Sequence, residues 1–326
     1  SVEFWNENED TDRALTPFGM DEESDWVLYA PYSTYDQSLI HNPVSFGIAK
    51  MIGALYPESK IVVVFQNTDG GKVTSSDLEG VYIFMEKIER NRMGMDFKKM
   101  DNTGTTGGWW INVDRLSSIP VGQPSTTLQP NFHAAGPNGI LEILDDQNGD
   151  SSPQSEDDIS AFYHSFLNFA SPSGFEIQSA QRSQIQTDVR AMDSAIWANN
   201  YKDHIDPESW ARHYAVNNFA RNQDSIVLST HLYRESSSAK IKMGPVWDFD
   251  RAYTWRGSAT SSPLDNSNRD WHQQITQEVD FLQTLQDVWQ EARRTSATNS
   301  DLQTLVDDSA TGLRSDQITA SGLSFS

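Results

Sequence analysis

Apolar residues recur at helical spacing from Leu39 through Ile40, Val44, Ile48, Met51, Ile52 and Leu55, so a helix is expected to start near Pro43. The stretch Asp157 to Phe169 carries Ile159, Phe162, Tyr163, Phe166 and Leu167 at similar intervals. Asp206-Pro207-Glu208 combines an N-cap with a first-turn proline, predicting a helix to about Ala220. A last helical pair is predicted over Phe281 to Arg294 and Asp301 to Leu313. Strand-like runs lie between these helices: Lys60 to Phe65, Gly80 to Lys87, Trp109 to Val113, Gly139 to Leu144, Ile226 to Tyr233 and Lys240 to Met243. Strands dominate the first half and helices the second, which reads as an α+β fold with a mainly antiparallel sheet beside a helical region. Gln147 to Asp158, rich in turn formers and charge, is the expected boundary. It divides a sheet-rich lobe, 1–146, from a helical lobe, 159–326, of one domain spanning 1–326.

Composition narrows the chemistry. The 326 residues carry 46 acidic side chains against 24 Lys plus Arg, a formal charge of −22. Phosphate backbones are bound by clustered cations, so no nucleic-acid partner is expected. No cysteine occurs, which removes disulfides, thiolate nucleophiles and Cys-based zinc sites together. No apolar run approaches the roughly 20 residues that span a bilayer, so no membrane insertion is expected. The acidic start SVEFWNENEDTD is not an intact signal peptide; an export signal is expected upstream, with the protein extracellular or at a cell surface. Trp109, Trp110 and Trp210 are expected in the core or at an interface rather than as a sugar platform.

Residues 220–250 hold the densest chemistry. A helix end is followed by a strand, the turn Glu235 to Ser238 and a second strand that leads into Gly244-Pro-Val-Trp-Asp-Phe-Asp250. A hairpin about that turn would bring Asp224 and Asp248 to the same end. Converging carboxylates are costly unless a cation neutralises them, and hard oxygen ligands favour magnesium or manganese. Asp250 is a further candidate ligand, or a capping group if only Asp248 binds the metal. An extended segment would place both on one side, with Trp247 and Phe249 on the other. The layout of aspartate, hairpin, aspartate recurs in protein kinases, where the first orients the acceptor hydroxyl and the second holds magnesium. At the position where kinases place a metal-binding Asn, this chain has Ser229.

Five blocks carry a further likeness: Asp25-Trp-Val-Leu-Tyr-Ala-Pro-Tyr32 with Asp36-Gln-Ser-Leu-Ile-His-Asn42, Gly80-Val-Tyr-Ile-Phe-Met-Glu-Lys87, Thr106-Gly-Gly108, Asn222-Gln-Asp224 and Pro245-Val-Trp-Asp-Phe-Asp250. In this order they resemble the CotH kinases, bacterial spore-coat and extracellular proteins with an atypical protein-kinase-like fold. The resemblance covers most of the chain. It implies ATP- and magnesium-dependent phosphoryl transfer to a Ser or Thr hydroxyl of a secreted or surface protein, with Asp224 catalytic and Asp248 the metal ligand. It also places Glu86 and Lys87 in the nucleotide-side strand block, where alternation lets only one face the phosphates.

The chain departs from the family pattern in several places. His41-Asn42 stands where Arg-Asn is common, which exchanges a permanent cation near the nucleotide for an imidazole, and Asn218 replaces a frequent glutamate. The family's leading Arg-Gly-Asn-x-Ser run and its Lys-Lys-Ser-Tyr-like strand are not in this chain, which starts at Ser1. These departures support an alternative: a weakened or inactive module serving as an extracellular structural or adhesion protein with matrix or cell-surface partners. A paired-carboxylate hydrolase is a third reading. The acidic run Asp145 to Asp150 also has a partial likeness to a calcium loop, with Asp146 to Asp150 as its candidate Ca2+ ligands. Ser151 stands where that loop needs Gly, and no Glu closes it.

Overall fold

The computed structural model describes residues 1–114 except 7, 9 and 10; 132–133; 166–253 except 175, 223, 226 and 227; and 271–321. The strand expected at Gly139 to Leu144, the boundary at Gln147 to Asp158 and the calcium-like run at Asp145 to Asp150 lie outside the described residues.

Two antiparallel sheets carry the fold. The first has the order β1 (Val2–Glu3), β2 (Asp25–Tyr29), β4 (Leu78–Glu86), β3 (Ser59–Phe65). Period-two alternation explains its faces: Ile83 and Met85 point into the main core, while Phe84 stacks on Trp26 at 4.9 Å on the other side. The second sheet has the order β6 (Phe132–His133), β7 (Phe166–Ser171), β5 (Trp109–Asp114), β8 (Thr230–Arg234), β9 (Lys242–Met243). Its strands come from both sides of the expected boundary, so strands are not confined to the first half. The architecture is mixed α+β with antiparallel sheets.

The helices begin where local chemistry starts them. In α1 (His41–Ile52) Pro43 occupies the first turn, where its missing N–H leaves no bond unmade, and Gly53 at φ 77° closes the other end. In α3 (Pro207–Ala220) the Asp206 carboxylate accepts the Ser209 N–H at 2.9 Å and Pro207 sits at the first position. The helices α5 (Val279–Thr295) and α6 (Asn299–Ser321) contain the predicted pair. Two further helices, α2 (Ser179–Trp197) and α4 (Trp271–Ile275), were not predicted. One core joins α1, α2, α3 and the second sheet through residues such as Phe46, Trp109, Ile111, Ile185, Trp210 and Phe249. Trp109 and Trp210 are buried and donate their indole N–H groups to Asp188 and the Ile241 carbonyl; Trp110, half-buried, donates to His231.

Two predictions need correction. Phe166 to Phe169 belongs to a strand rather than to the end of a helix, because β7 is hydrogen-bonded on both sides, to β5 and β6, with Leu167 and Phe169 in the core. Sheet pairing outweighs the helical spacing there. The strand predicted from Ile226 starts at Thr230, because Ser229 has a left-handed backbone, φ 53°, which extended pairing does not admit. No helix among the described residues is long and apolar enough to cross a membrane.

The Thr106-Gly-Gly108 block is a packing requirement. Gly107 has φ 86°, and a Cβ on Gly108 would stand 2.2 Å from the Arg234 carbonyl oxygen and 2.7 Å from the Phe97 ring. The main chain there bonds Lys98 O and Met100 N at 2.8 and 2.9 Å, leaving no room to retreat. Gly108→Ala is therefore expected to cost at least about 2 kcal/mol, read from the urea midpoint. Gly70→Ala, in open space but at φ 71°, should cost only the left-handed strain, about 1 kcal/mol. Equal losses at the two sites would contradict this account.

Candidate active site

The β8–β9 hairpin forms as expected, with Leu232 opposite Met243 and Tyr233 opposite Lys242. Its open end gathers Asp224, Ser229 and Asp248. Asp248 is not extended: its φ of 57° turns the chain, so the alternation of an extended segment does not apply, and both carboxylates approach the Tyr29 hydroxyl. Ser229 Oγ donates to Asp248 Oδ2 at 3.0 Å, and the Tyr29 hydroxyl donates to Oδ1 at 3.2 Å. The Trp247 ring meets Tyr29 edge-on at 5.7 Å, and Phe249 is fully buried.

Asp250 is held from the N-terminal segment. Asn42 Nδ2 donates to its Oδ1 at 2.9 Å, the Tyr32 N–H to its Oδ2 at 3.0 Å, and the Phe249 N–H donates to Asn42 Oδ1 at 2.9 Å. His41 Nδ1 donates to the Asp250 carbonyl oxygen at 3.1 Å, since a carbonyl can only accept. Its Nε2 lies 3.5 Å from Asp36, whose buried carboxylate also accepts the His41 N–H and the Ser38 hydroxyl. Asp36 thereby caps the entrance to α1 from five residues upstream. The two runs of the first quoted block, Asp25 to Tyr32 and Asp36 to Asn42, thus supply the walls of the site.

Asp224 pairs with Arg251 at 2.9 Å, and the Arg251 guanidinium lies 5.1 Å over the Tyr35 ring. Among the described residues no ion pair reaches Asp248 or Asp250. Burial pushes the Asp248 carboxyl above the usual range and the charges of Asp250 and Asp224 add to it, while the bonds from Ser229 and Tyr29 oppose the rise. Burial likewise drives the Tyr29 hydroxyl far up, helped by the Asp248 and Asp250 charges. It therefore stays a donor.

The other expected site residues lie elsewhere. Glu86 is opposite Trp26, three residues along β2 from Tyr29; it accepts the Glu58 N–H at 2.8 Å and faces Arg92 at 3.5 Å. Lys87 pairs with Asp25 and Glu89. Asn218 is exposed and lines a groove between α3 and α5 with Phe219, Leu282 and Trp289. Sequence reasoning missed Arg251 and Tyr29, although each lies in or beside a quoted block.

Among the described residues no group of three or more His, Asp or Glu side chains is placed to hold a metal. The donor set still fits a hard divalent cation: a half-buried carboxylate and a hydroxyl 3.0 Å apart, with no ion-pair partner on the carboxylate among the described residues. Magnesium is commonly bound by one or two carboxylates, water and substrate phosphates rather than by an all-protein cage. Asp250, its two oxygens engaged by Asn42 and Tyr32, suits an orienting role better than ligation.

The raised pKa of Asp248 has a definite sign. The folded chain holds that proton more tightly than the unfolded chain, so stability from this group is present below the ordinary Asp range and is lost as pH rises through the folded value. Asp248→Asn removes that loss. At pH 8 the variant is expected to melt above the metal-free wild type, and the gap should shrink as pH falls toward 4. A variant melting below wild type at pH 8 would contradict the assignment.

The chain was predicted to resemble one family, and comparison with known proteins bears that out. The family model described as CotH kinase protein matches residues 1–320. No curated protein matches the chain at a significant level. With nearly its whole length matched, the chain belongs to the CotH kinase protein family.

Proposed function

We propose that the protein transfers the γ-phosphoryl group of ATP to a Ser or Thr hydroxyl of a secreted or surface protein, within an atypical kinase-like fold. The observation that carries this reading is the convergence of Asp224 and Asp248 at one end of a hairpin, with Asp248 half-buried and outside any described ion pair. Asp248 and Ser229 would hold magnesium or manganese. The bound cation supplies charge neutralisation on the nucleotide phosphates.

Asp224 orients the acceptor hydroxyl and takes its proton as the oxygen attacks the γ-phosphorus and the bond to the β–γ bridging oxygen breaks, releasing ADP. Arg251 holds that carboxylate in place at rest. Tyr29 and Ser229 keep the Asp248 oxygens aimed by neutral bonds, so their contribution is orientation without added charge. The partition of roles matches what phosphoryl transfer needs from a protein, which is mostly positioning and electrostatics.

A second reading is favoured by one placement. Glu86 and Lys87 are engaged by Arg92, Glu58, Asp25 and Glu89, away from the aspartates, as suits a module that keeps the fold for structural or adhesive contacts outside the cell. Labelled transfer separates the two. With γ-labelled ATP, Mn2+ and dephosphorylated casein, wild type is expected to transfer label. Asp224→Asn and Asp248→Asn should each lower the rate about 1,000-fold, and nucleotide-dependent thermal stabilisation should vanish in Asp248→Asn alone. Transfer that survives Asp224→Asn would sink the assigned base. No transfer and no thermal shift in wild type would favour the module.

A further inference from the structure

Asn222 lies in the bend between α3 and Asp224, 2% exposed, and both ends of its amide are used. Its Oδ1 accepts the Asp224 N–H at 3.2 Å. Its Nδ2 donates to the Asp248 carbonyl oxygen at 3.2 Å and to Asn217 Oδ1 at 3.1 Å. One side chain thus touches the main chains of both aspartates. Asn217, 3% exposed in the last turn of α3, donates through its own Nδ2 to the His213 carbonyl at 3.0 Å, with the His213 ring nitrogens at 3.3 and 3.4 Å.

The orientation of both amides follows from backbone groups that cannot exchange roles. The carbonyls of His213 and Asp248 only accept, and the N–H of Asp224 only donates. Asn217 must therefore turn its oxygen toward Asn222, and Asn222 must turn its nitrogen toward Asp248. A side chain with donors alone or acceptors alone could not serve all of these groups.

The chain needs such a fastening here. Arg221, Ser229 and Asp248 all adopt left-handed backbone angles, φ 52°, 53° and 57°, which non-glycine residues hold only where the surroundings impose them. The bonds from Arg251, Ser229 and Tyr29 aim the carboxylates, but they do not tie the Asp224 main chain to the Asp248 main chain. Asn222 does.

We propose that Asn222, with its amide locked by Asn217, is the positioning residue that sets the separation of Asp224 and Asp248. The inference rests on the reading of Asp224 as proton acceptor and Asp248 as cation ligand. Misplacing either group by about 1 Å would slow transfer about 100-fold without weakening nucleotide contacts to the same degree.

The test is a cycle of Asn222→Ala, Asn217→Ala and the double variant, read as kcat and KM for ATP with Mn2+ and casein, and separately as Mn2+ affinity by titration. Asn222→Ala is expected to lower kcat about 100-fold with KM within about threefold. Asn217→Ala should lose about tenfold, and the double variant should be no slower than Asn222→Ala, because the two act as one unit. Mn2+ affinity should fall about tenfold in each. A kcat within threefold of wild type in Asn222→Ala, a loss confined to KM, or additive losses would each overturn the proposal. Should Asn222→Ala not fold, Asn217→Ala carries the same test, and a wild-type kcat there overturns it. If wild type transfers no phosphate, the proposed reaction fails, and the bridge is judged on Mn2+ affinity alone. Weakening in both variants supports it; unchanged affinity, or no binding by wild type, overturns it.

Discussion

Asn42 holds Phe249 and Asp250 with the two ends of one amide, across a sequence separation of 208 residues to the carboxylate. The remaining geometry of the site depends on this contact. It docks the loop after Pro245 against the first turn of α1, buries Phe249 in the common core and turns Asp248 back toward Ser229 and Tyr29. A carboxylate buried beside others would be costly in an apolar interior, and here each oxygen of Asp248 and Asp250 instead meets a neutral donor. Neutral donors satisfy these oxygens but leave their charge uncompensated. The site is organised and remains electrostatically unfinished.

That condition, met also by the buried Asp193 with its Trp271 bond, contrasts with the exposed acidic groups. Asp101, for example, accepts bonds from Thr103, Thr105 and Thr106 in an exposed turn, which hold its carboxyl well below the usual range. Asp101 is thus content as an anion, whereas burial and like charges make Asp248 resist ionisation. Strain of this kind is expected where binding or chemistry is to be done.

Much of this was legible in the chain. Period-two runs placed β3, β4 and β5 to within two residues, and the Asp206-Pro207 signal placed α3, because those elements obey local rules. The hairpin symmetry about Glu235 to Ser238 was enough to pair Asp224 with Asp248. The left-handed turns at Ser229 and Asp248 were not legible, since neither is glycine and both are imposed by distant partners. The helix α2 was present as Ile185, Val189, Met192 and Ile196 at helical spacing, all fully buried, and could have been found. Arg251 and the asparagines at 42, 217 and 222 illustrate a different gap. A polar residue's type announces its hydrogen-bonding capacity, but only the fold shows which partner uses it.

The two segments that build the site, residues 29–42 and 217–251, are joined by buried polar bonds that neither can satisfy alone. A substitution at Asn42 leaves orphaned groups in the second block, and one at Asp250 leaves them in the first. Recombination between β3 and α3 that exchanged one block for a distant counterpart would deliver a chain with intact helices and strands and an unsatisfied interior. The seam between these blocks is thus one structural unit, even though more than two hundred positions separate the bonded residues.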